Sequence, residues 1–388
     1  MEQESPTPHR IKTPATHEKP PHRGPEKGHS LFYYLLLLCF FGSIIPYLIV
    51  TSVTCNTVKG SFRQATFNHL ISVRDIKKQA LENYFRDRKA NAYALATSPL
   101  IVRAAATYIN AFKQGGMEGN LYKEADINYG RMVEEFCTAH EYYDILIVDM
   151  AGNIVVSAKD FPIQGKNILT TYPDTPLAEA FIRGKSGVTT GDMKWHEPYK
   201  GPAIFISSPL VMKMAGEKTP MGVLIAHVNP LRISEMMLQR AGLGETGETY
   251  LVGQDFLMRS DSRFVQESAV LKNRVETKAS RDALAGQSNC KIVRDYRNKK
   301  VLSAYTPVEI SEGIRWALIA EIDKSEALNL EDTITTRIVY LTAALLPLWG
   351  LIVFVFYRLI KSWHLHEVAR HAMAGHHPIA PPPQGPKA

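Results

Sequence analysis

One pattern, used twice, limits what this chain can fold into. The stretch Tyr143-Asp-Ile-Leu-Ile-Val-Asp-Met-Ala-Gly-Asn-Ile-Val-Val-Ser157 reads as strand, tight Gly-Asn turn, strand. Apolar residues fill both faces of its first arm and β-branched residues dominate the second. A second copy is Thr249-Tyr-Leu-Val-Gly-Gln-Asp-Phe-Leu-Met-Arg-Ser260. Each copy precedes a short helical segment that runs out at a glycine, within Pro176–Gly187 and then Ser280–Ser288. Each segment precedes two apolar strands, Ala203–Met212 with Gly222–Val228, and Val301–Val308 with Arg315–Ile322. The same order of elements twice implies one supersecondary unit in duplicate.

The repeat lies between two uncharged apolar runs. Leu31–Val53 carries no charge and is long enough to cross a ~30 Å hydrocarbon layer as a helix. It is too long for a signal-peptide core, and no small-x-small cleavage site follows. The second run is Ile338–Tyr357, with Trp349 inside it and tyrosines at its ends. Arg10, Lys12, Lys19, Arg23 and Lys27 precede the first run, and Arg358, Lys361 and Arg370 follow the second. Positive-inside logic puts both tails in the cytoplasm and residues 54–337 outside. Residues 1–30 are rich in Pro, His, Lys and Arg and are expected to be a disordered tail. Residues 358–388 read as a His- and Pro-rich tail, PPII-like or disordered.

From Lys59 to about Phe112 the pattern is helical, with Phe67, Leu70, Val73, Ile76, Ala80 and Tyr84 at spacings of three and four. Glycine is absent between Ser61 and Lys113, and Pro99 after Ser98 marks a break. Gln114–Asn120 is a turn, Tyr122–His140 a second helix, and Pro230–Gly242 a short helix joining the two units. From Asp323 the chain is helical again.

The bulk numbers exclude several function classes. The four cysteines show no metal-ligand spacing with each other or with histidine, so a zinc site is not expected. Cys137 and Cys290 fall in different copies of the repeat, which gives no reason to pair them. The net charge of +7 comes without a basic stripe interleaved with aromatics, so nucleic acid is not an expected partner. His364, His366, His371, His376 and His377 could ligate a metal only on ordered backbone, which a flexible tail does not provide. No nucleophile elbow, HExxH or carboxylate pair points to catalysis. Gly242-x-Gly244-x-x-Gly247 has the spacing of a dinucleotide fingerprint, but it follows a helix and precedes a strand, the wrong context for phosphate.

The doubled strand pair, the long leading helix, Gly242-Leu-Gly-Glu-Thr-Gly-Glu-Thr-Tyr-Leu-Val252 with Met258-Arg-Ser-Asp-Ser-Arg263, and Leu302-Ser-Ala-Tyr-Thr-Pro307 resemble the double Cache sensor domain. That family serves bacterial chemoreceptors, sensor histidine kinases and cyclic-nucleotide enzymes. The resemblance covers roughly residues 60–330. It implies an α+β fold: a long N-terminal helix, then two PAS-like antiparallel-sheet modules, flanked by two transmembrane helices. The expected segments are tail 1–30, span 31–53, long helix and membrane-distal module 54–230, membrane-proximal module 231–336, span 337–357 and tail 358–388. The resemblance also implies a homodimer, the bacterial inner membrane, and a small-molecule ligand held in the distal module, with no cofactor. About thirty residues follow the second span, too few for a kinase, a cyclase or a methyl-accepting coil. The signal is therefore expected to pass to a cytoplasmic partner in trans. A membrane-anchored scaffold that binds a partner protein stays open as the alternative.

Apolar walls and a few directed polar groups make a ligand pocket. Tyr172, Asp174, Trp195, Tyr199, Phe205 and Ser207 supply both within Tyr172–Val228. Strand alternation adds Tyr143, on a face with Ile145, Ile147 and Asp149. Amino-acid-binding members of the resembled family carry Arg-x-Trp-Tyr at the distal helix, where this chain has Tyr172-Pro-Asp-Thr-Pro-Leu-Ala-Glu179. Lys194, Lys200 or His196 would instead favour an anion such as a carboxylate.

Overall fold

The computed structural model describes residues 27–214, 217–240 and 242–374. It divides into two compact units, one of residues 58–334 and one of the flanking segments.

Three helices lead: α1 (Lys27–Thr97), α2 (Pro99–Gly115) and α3 (Asn120–Ala139). The break falls where the sequence places it. Ser98 is extended (φ −64°, ψ 127°) and Pro99 starts the next helix, where its missing N–H costs nothing. The buried stripe of α1 differs from the periodic reading. It runs Leu70, Val73, Lys77, Leu81, Phe85, Ala92 and Leu95, while Ile76 is 66% exposed and Ala80 also faces outward. A lysine holds the position that an apolar count gives to its neighbour. The Lys77 ammonium is accommodated by the carbonyls of Met236 and Gln239. Arg74 likewise reaches the Tyr305 carbonyl at 3.2 Å.

The first module follows: β1 (Tyr142–Asp149), β2 (Ile154–Ser157), α4 (Ile168–Thr171), α5 (Pro176–Gly184), β3 (Thr189–Thr190), β4 (Lys194–His196), a 3₁₀ turn at Glu197–Tyr199, β5 (Gly201–Met214) and β6 (Glu217–Val228). Its strands lie in the order β2-β1-β6-β5-β3, with β4 also on β5, all antiparallel. Helix α6 (Pro230–Leu238) leads to the second module: β7 (Glu248–Val252), α7 (Lys278–Leu284), β8 (Asn289–Arg294), β9 (Lys300–Ser311) and β10 (Ile314–Asp323). Its order is β7-β10-β9-β8. The neighbours β1-β6-β5-β3 and β7-β10-β9-β8 match one for one, so the duplicated reading holds. The second arm of the leading hairpin does not repeat, shrinking to a single bridge between Val252 and Met258. There the Arg259 guanidinium lies over Gly253, closer than any β-carbon would allow.

Both sheets give one face to the helices. Ile145, Ile147, Leu224 and Ala226 of the first module and Leu251, Val308, Trp316 and Leu318 of the second share one core with Leu81, Phe85, Ala105 and Tyr108. The opposite face of each sheet packs on its module's own short helix. Leu146, Phe205 and Ile225 meet Phe181 of α5, and Tyr250, Tyr305 and Ile319 meet Ala279 and Ala283 of α7.

The remaining helices are α8 (Lys324–Ala327) and α9 (Asn329–Ala374). Two helices, within Phe40–Thr97 and Asp332–Trp363, are long and apolar enough to cross a membrane. In the flanking unit the rings of Phe40 and Trp349 meet at 5.6 Å, while Leu38, Phe41, Leu348 and Phe354 face outward. The expected tail from 358 needs correction, because α9 continues through Ala374. Residues 358–374 contain no proline or glycine, and the first helix breakers are Gly375 and Pro378. His364, His366 and His371 therefore lie on a helix, while His376, His377 and residues 1–26 fall outside the described residues.

Candidate functional site

Polar residues collect on the α5 face of the first sheet, at one end of its three central strands. Asp144 of β1 lies beside His227 of β6, and His227 beside Phe205 of β5. A bulge between Tyr142 and Asp144 breaks the alternation of β1. That corrects the expected face of Tyr143. Ile145 and Ile147 point into the helical core, whereas the Tyr143 ring lies 4.7 Å from His227, 5.6 Å from Phe161 and 5.8 Å from Tyr199. The extra residue brings a ring to the site that a regular strand would have turned away.

The 3₁₀ turn brings in two more groups. His196 closes β4, and Tyr199 ends the turn, with Lys200 in left-handed backbone (φ 50°) reversing the chain into β5. The Tyr199 ring lies 4.5 Å from His227, 4.6 Å from Phe161 and 5.3 Å from His196. Phe205 lies 5.2 Å from His227 and 5.3 Å from His196. Tyr143, Tyr199 and Phe205 thus border the two imidazoles, with Phe161 packed against Tyr143 and Tyr199.

The electrostatics divide these groups into a satisfied carboxylate and two unsatisfied rings. Asp144 is fully buried, and its oxygens accept from the Ile145 and Lys159 amides and the Ser157 and Tyr199 hydroxyls at 2.8–3.2 Å. Burial pushes its carboxyl up to about 6 against the pull of those donors. Burial, then the Asp144 charge, raises the Tyr199 hydroxyl well above its ordinary range. His196 and His227 are each 1% exposed, and among the described residues none of their four ring nitrogens has a hydrogen-bond partner. Burial lowers His196 to about 4 and His227 to about 3; the Pro202 carbonyl opposes the shift at His227 without forming a full hydrogen bond. Both rings are neutral at pH 7, each offering one N–H donor and one acceptor. Buried polar atoms seldom go unpartnered, so this pair needs a reason.

The residues named from sequence divide accordingly. Tyr143, Tyr199 and Phe205 meet at the site. Tyr172 stands at its margin, 6.2 Å from His196. Trp195 is 51% exposed on the outer side of β4 and donates to Glu197 at 2.9 Å. Asp174 sits in an exposed turn with φ 57°. Ser207 is fully buried and hydrogen-bonds Thr189 at 2.9 Å. It packs against Gly184, where a β-carbon would come within 2.7 Å of its hydroxyl, so Ser207 seats α5 on the sheet. Lys194 reaches Glu179 at 3.5 Å on the surface. Asp144, Phe161 and His227 were not among the residues chosen. Their signal was present, since Asp144 and His227 are each a polar residue set in an apolar strand run.

The site is tied to the second module through one loop. Asp192, between β3 and β4, accepts from Arg259 at 2.9 and 3.3 Å and from the Trp316 indole at 2.7 Å. Arg259 is 1% exposed and also pairs with Asp255 at 2.9 Å. The glycine-rich loop before β7 is closed by the chain itself. The Glu326 carboxylate takes the Glu245 and Thr246 amides at 2.8 and 2.7 Å, which leaves no nest for a phosphate. Among the described residues no group of three or more His, Cys, Asp or Glu could hold a metal ion, and Cys137 and Cys290 are both free.

Two sheets of one strand order on shared helices, with buried polar groups ringed by aromatics at one strand end, define a two-module domain of the ligand-sensing type. The chain belongs to the Cache domain family, whose dCache_1 profile matches residues 56–330. No curated protein matches it. Among solved structures, the sensory domain of the Campylobacter jejuni chemoreceptor Tlp3 (CcmL) aligns at 13% identity and a TM-score of 0.49, covering 71% of this chain and 99% of that one. The ligand-binding domain of the Pseudomonas aeruginosa PAO1 amino acid chemoreceptor PctB, in complex with L-Arg, aligns at 13% identity and 0.45, covering 68% and 97%. That of the Pseudomonas fluorescens chemoreceptor CtaA, in complex with L-isoleucine, aligns at 15% and 0.44, covering 70% and 98%.

Proposed function

We propose that this chain is a membrane-bound extracytoplasmic receptor whose first module binds a small organic carboxylate. One observation carries the reading: two neutral, fully buried imidazoles with unpartnered nitrogens stand inside a wall of aromatic rings. Each imidazole has an N–H to give to a carboxylate, and the anion would favour proton uptake by either ring. An α-amino acid would also need an acceptor for its ammonium group, and all four directions of Asp144 are already filled. The rings of Tyr143, Tyr199, Phe161 and Phe205 suit an apolar body behind the carboxylate.

The two apolar helices serve as membrane spans, with both tails in the cytoplasm and the chain paired with a second copy. Ligand binding favours one arrangement of β4 and its loop, and so shifts a two-state population. The Asp192–Arg259–Trp316 contact passes that bias to the second module. Helices α1, α8 and α9 carry it to a cytoplasmic partner.

The test uses the full chain in lipid nanodiscs, screened by thermal shift against monocarboxylates, dicarboxylates, amines and nucleobases. A carboxylate should raise the melting temperature, more strongly at pH 6 than at pH 8, and His227→Leu should abolish the effect. Stabilisation by amines alone, or an unaltered response in His227→Leu, would overturn the assignment.

A further inference from the structure

The second module has a polar group at the corresponding strand ends. Where the first sheet sets Asp144, His227 and Phe205 side by side, the second sets Glu248 of β7 beside Glu321 of β10, and Glu321 beside Ser303 of β9. Directly opposed residues share a face. Here it is the α7 face, since Tyr250, Ile319 and Tyr305, two places along the same strands, pack under that helix. Glu248, Glu321 and Ser303 are 2%, 1% and 0% exposed.

Their partners are unequal. Glu248 accepts the Tyr296 and Ser262 hydroxyls, both at 2.8 Å. Among the described residues Glu321 accepts the Tyr250 hydroxyl alone, at 3.2 Å on Oε1. Among the described residues its Oε2 has no partner, and neither has the Ser303 Oγ on the adjacent strand. Two unpartnered oxygens thus belong to directly paired residues on one face of the sheet, beside a second carboxylate.

The surrounding charges leave that place acidic. Asp295 and Arg297 approach from the turn after β8, and Arg297 is held by Asp295 at 2.5 Å, by Asp323 at 2.7 Å and over the Phe264 ring at 4.1 Å. Lys299 pairs with Asp323 at 3.2 Å. Neither cation hydrogen-bonds Glu321, although the Arg297 charge partly offsets the acids around it. Two neighbouring carboxylates out of water do not both stay ionised without a positive charge between them. Burial, then Glu248 and Asp295, raise the Glu321 carboxyl well above its usual range against the opposing pull of Arg297 and the Tyr250 hydroxyl.

We propose that the second module binds a protonated primary amine, with Glu321 Oε2 and Ser303 Oγ accepting two of its N–H donors and Glu248 supplying further negative charge. An ammonium head has three donors and one charge, which fits two acceptors and an acid better than a metal ion needing six oxygens. Binding replaces the proton on Glu321, which leaves to solvent as the amine enters, so the charge balances. This site goes beyond the carboxylate site of the first module and does not depend on it.

The experiment titrates the full chain in nanodiscs at pH 7 with methylammonium and n-propylammonium, by calorimetry in two buffers of different ionisation heat. Tetramethylammonium, which has charge but no N–H, is the control. Saturable binding should release about one proton per amine. Glu321→Gln should weaken binding about tenfold or more, Ser303→Ala by a smaller factor, and His227→Leu not at all. Near-ultraviolet circular dichroism checks each fold, and Ser303→Ala decides the matter should Glu321→Gln fail to fold. The site is refuted by an absence of saturable heat, by undiminished binding in folded Glu321→Gln, by tetramethylammonium binding as well as methylammonium, or by binding without proton release. None of these results touches the response of His227 to carboxylates, so the two readings fail separately.

Discussion

The two modules are one topology with opposite chemistry at the same strand ends. In the first, the middle strand presents His227, flanked by Asp144 and Phe205; in the second it presents Glu321, flanked by Glu248 and Ser303. Backbone pairing tolerates either set, because the ladder uses only main-chain groups. The difference teaches that the duplicated sheet is a holder, and that a few inward polar side chains decide what it holds.

Breaking the contact between the modules should have the largest effect. Arg259→Ala would leave Asp192 and Asp255 short of their shared partner, at a cost of about 3–5 kcal/mol. Chemical denaturation followed by tryptophan fluorescence measures it. Acidity is the next lever, and its sign differs between modules. His196 and His227 have folded values lowered to about 4 and 3 from 6.5, so the stability they give is present above pH 6.5 and is lost as pH falls below it. Asp144, raised to about 6 from 3.8, opposes them between those values. The first module's own share is a loss of about 2 kcal/mol between pH 7 and 5, and the His196→Phe, His227→Leu double variant should remove that loss. Glu248 and Glu321 are raised above 4.5, so their contribution is present below pH 4.5 and is lost as pH rises through the raised values. Melting temperatures of Glu321→Gln should therefore fall less steeply than those of the unaltered chain as pH rises above 4.5.

Tyr199→Phe tests the satisfied half of the first site. Removing the hydroxyl takes one of four donors from Asp144, and a loss of about 1–3 kcal/mol is expected by urea unfolding. Trp195→Ala should have the least effect. Its ring faces outward, so stability should stay within about 0.5 kcal/mol and carboxylate stabilisation should be unchanged. A loss of ligand response in that variant would move the site to the outer side of β4.

The duplication, the helix break at Pro99 and the apolar spans were legible because each depends on local rules: alternation, a missing N–H, or a run without charge. The short strands β3 and β4 and the bridge that replaces the second hairpin arm were not, since two or three residues carry no periodicity. Tyr143 was assigned to the site on the wrong reasoning, because alternation turns its ring toward Ile145 and a bulge turns it toward His227. Ser207 packs under α5 and Trp195 faces outward, placements that no local pattern signals. The lysine in the buried stripe of α1 was equally hidden, because carbonyls from α6 and the residue after it make its burial tolerable.

Composition and periodicity by themselves determined two related sheet units, a long leading helix and two membrane-compatible helices, since those follow from which residues shun water and at what interval. Only the tertiary structure decided that His227 and Glu321 occupy equivalent inner positions, that Asp144 is already filled, and that Asp192 joins the modules. Hydrogen-bond partners come from strands far apart in the chain, and whether a buried polar atom has one is a property of that meeting.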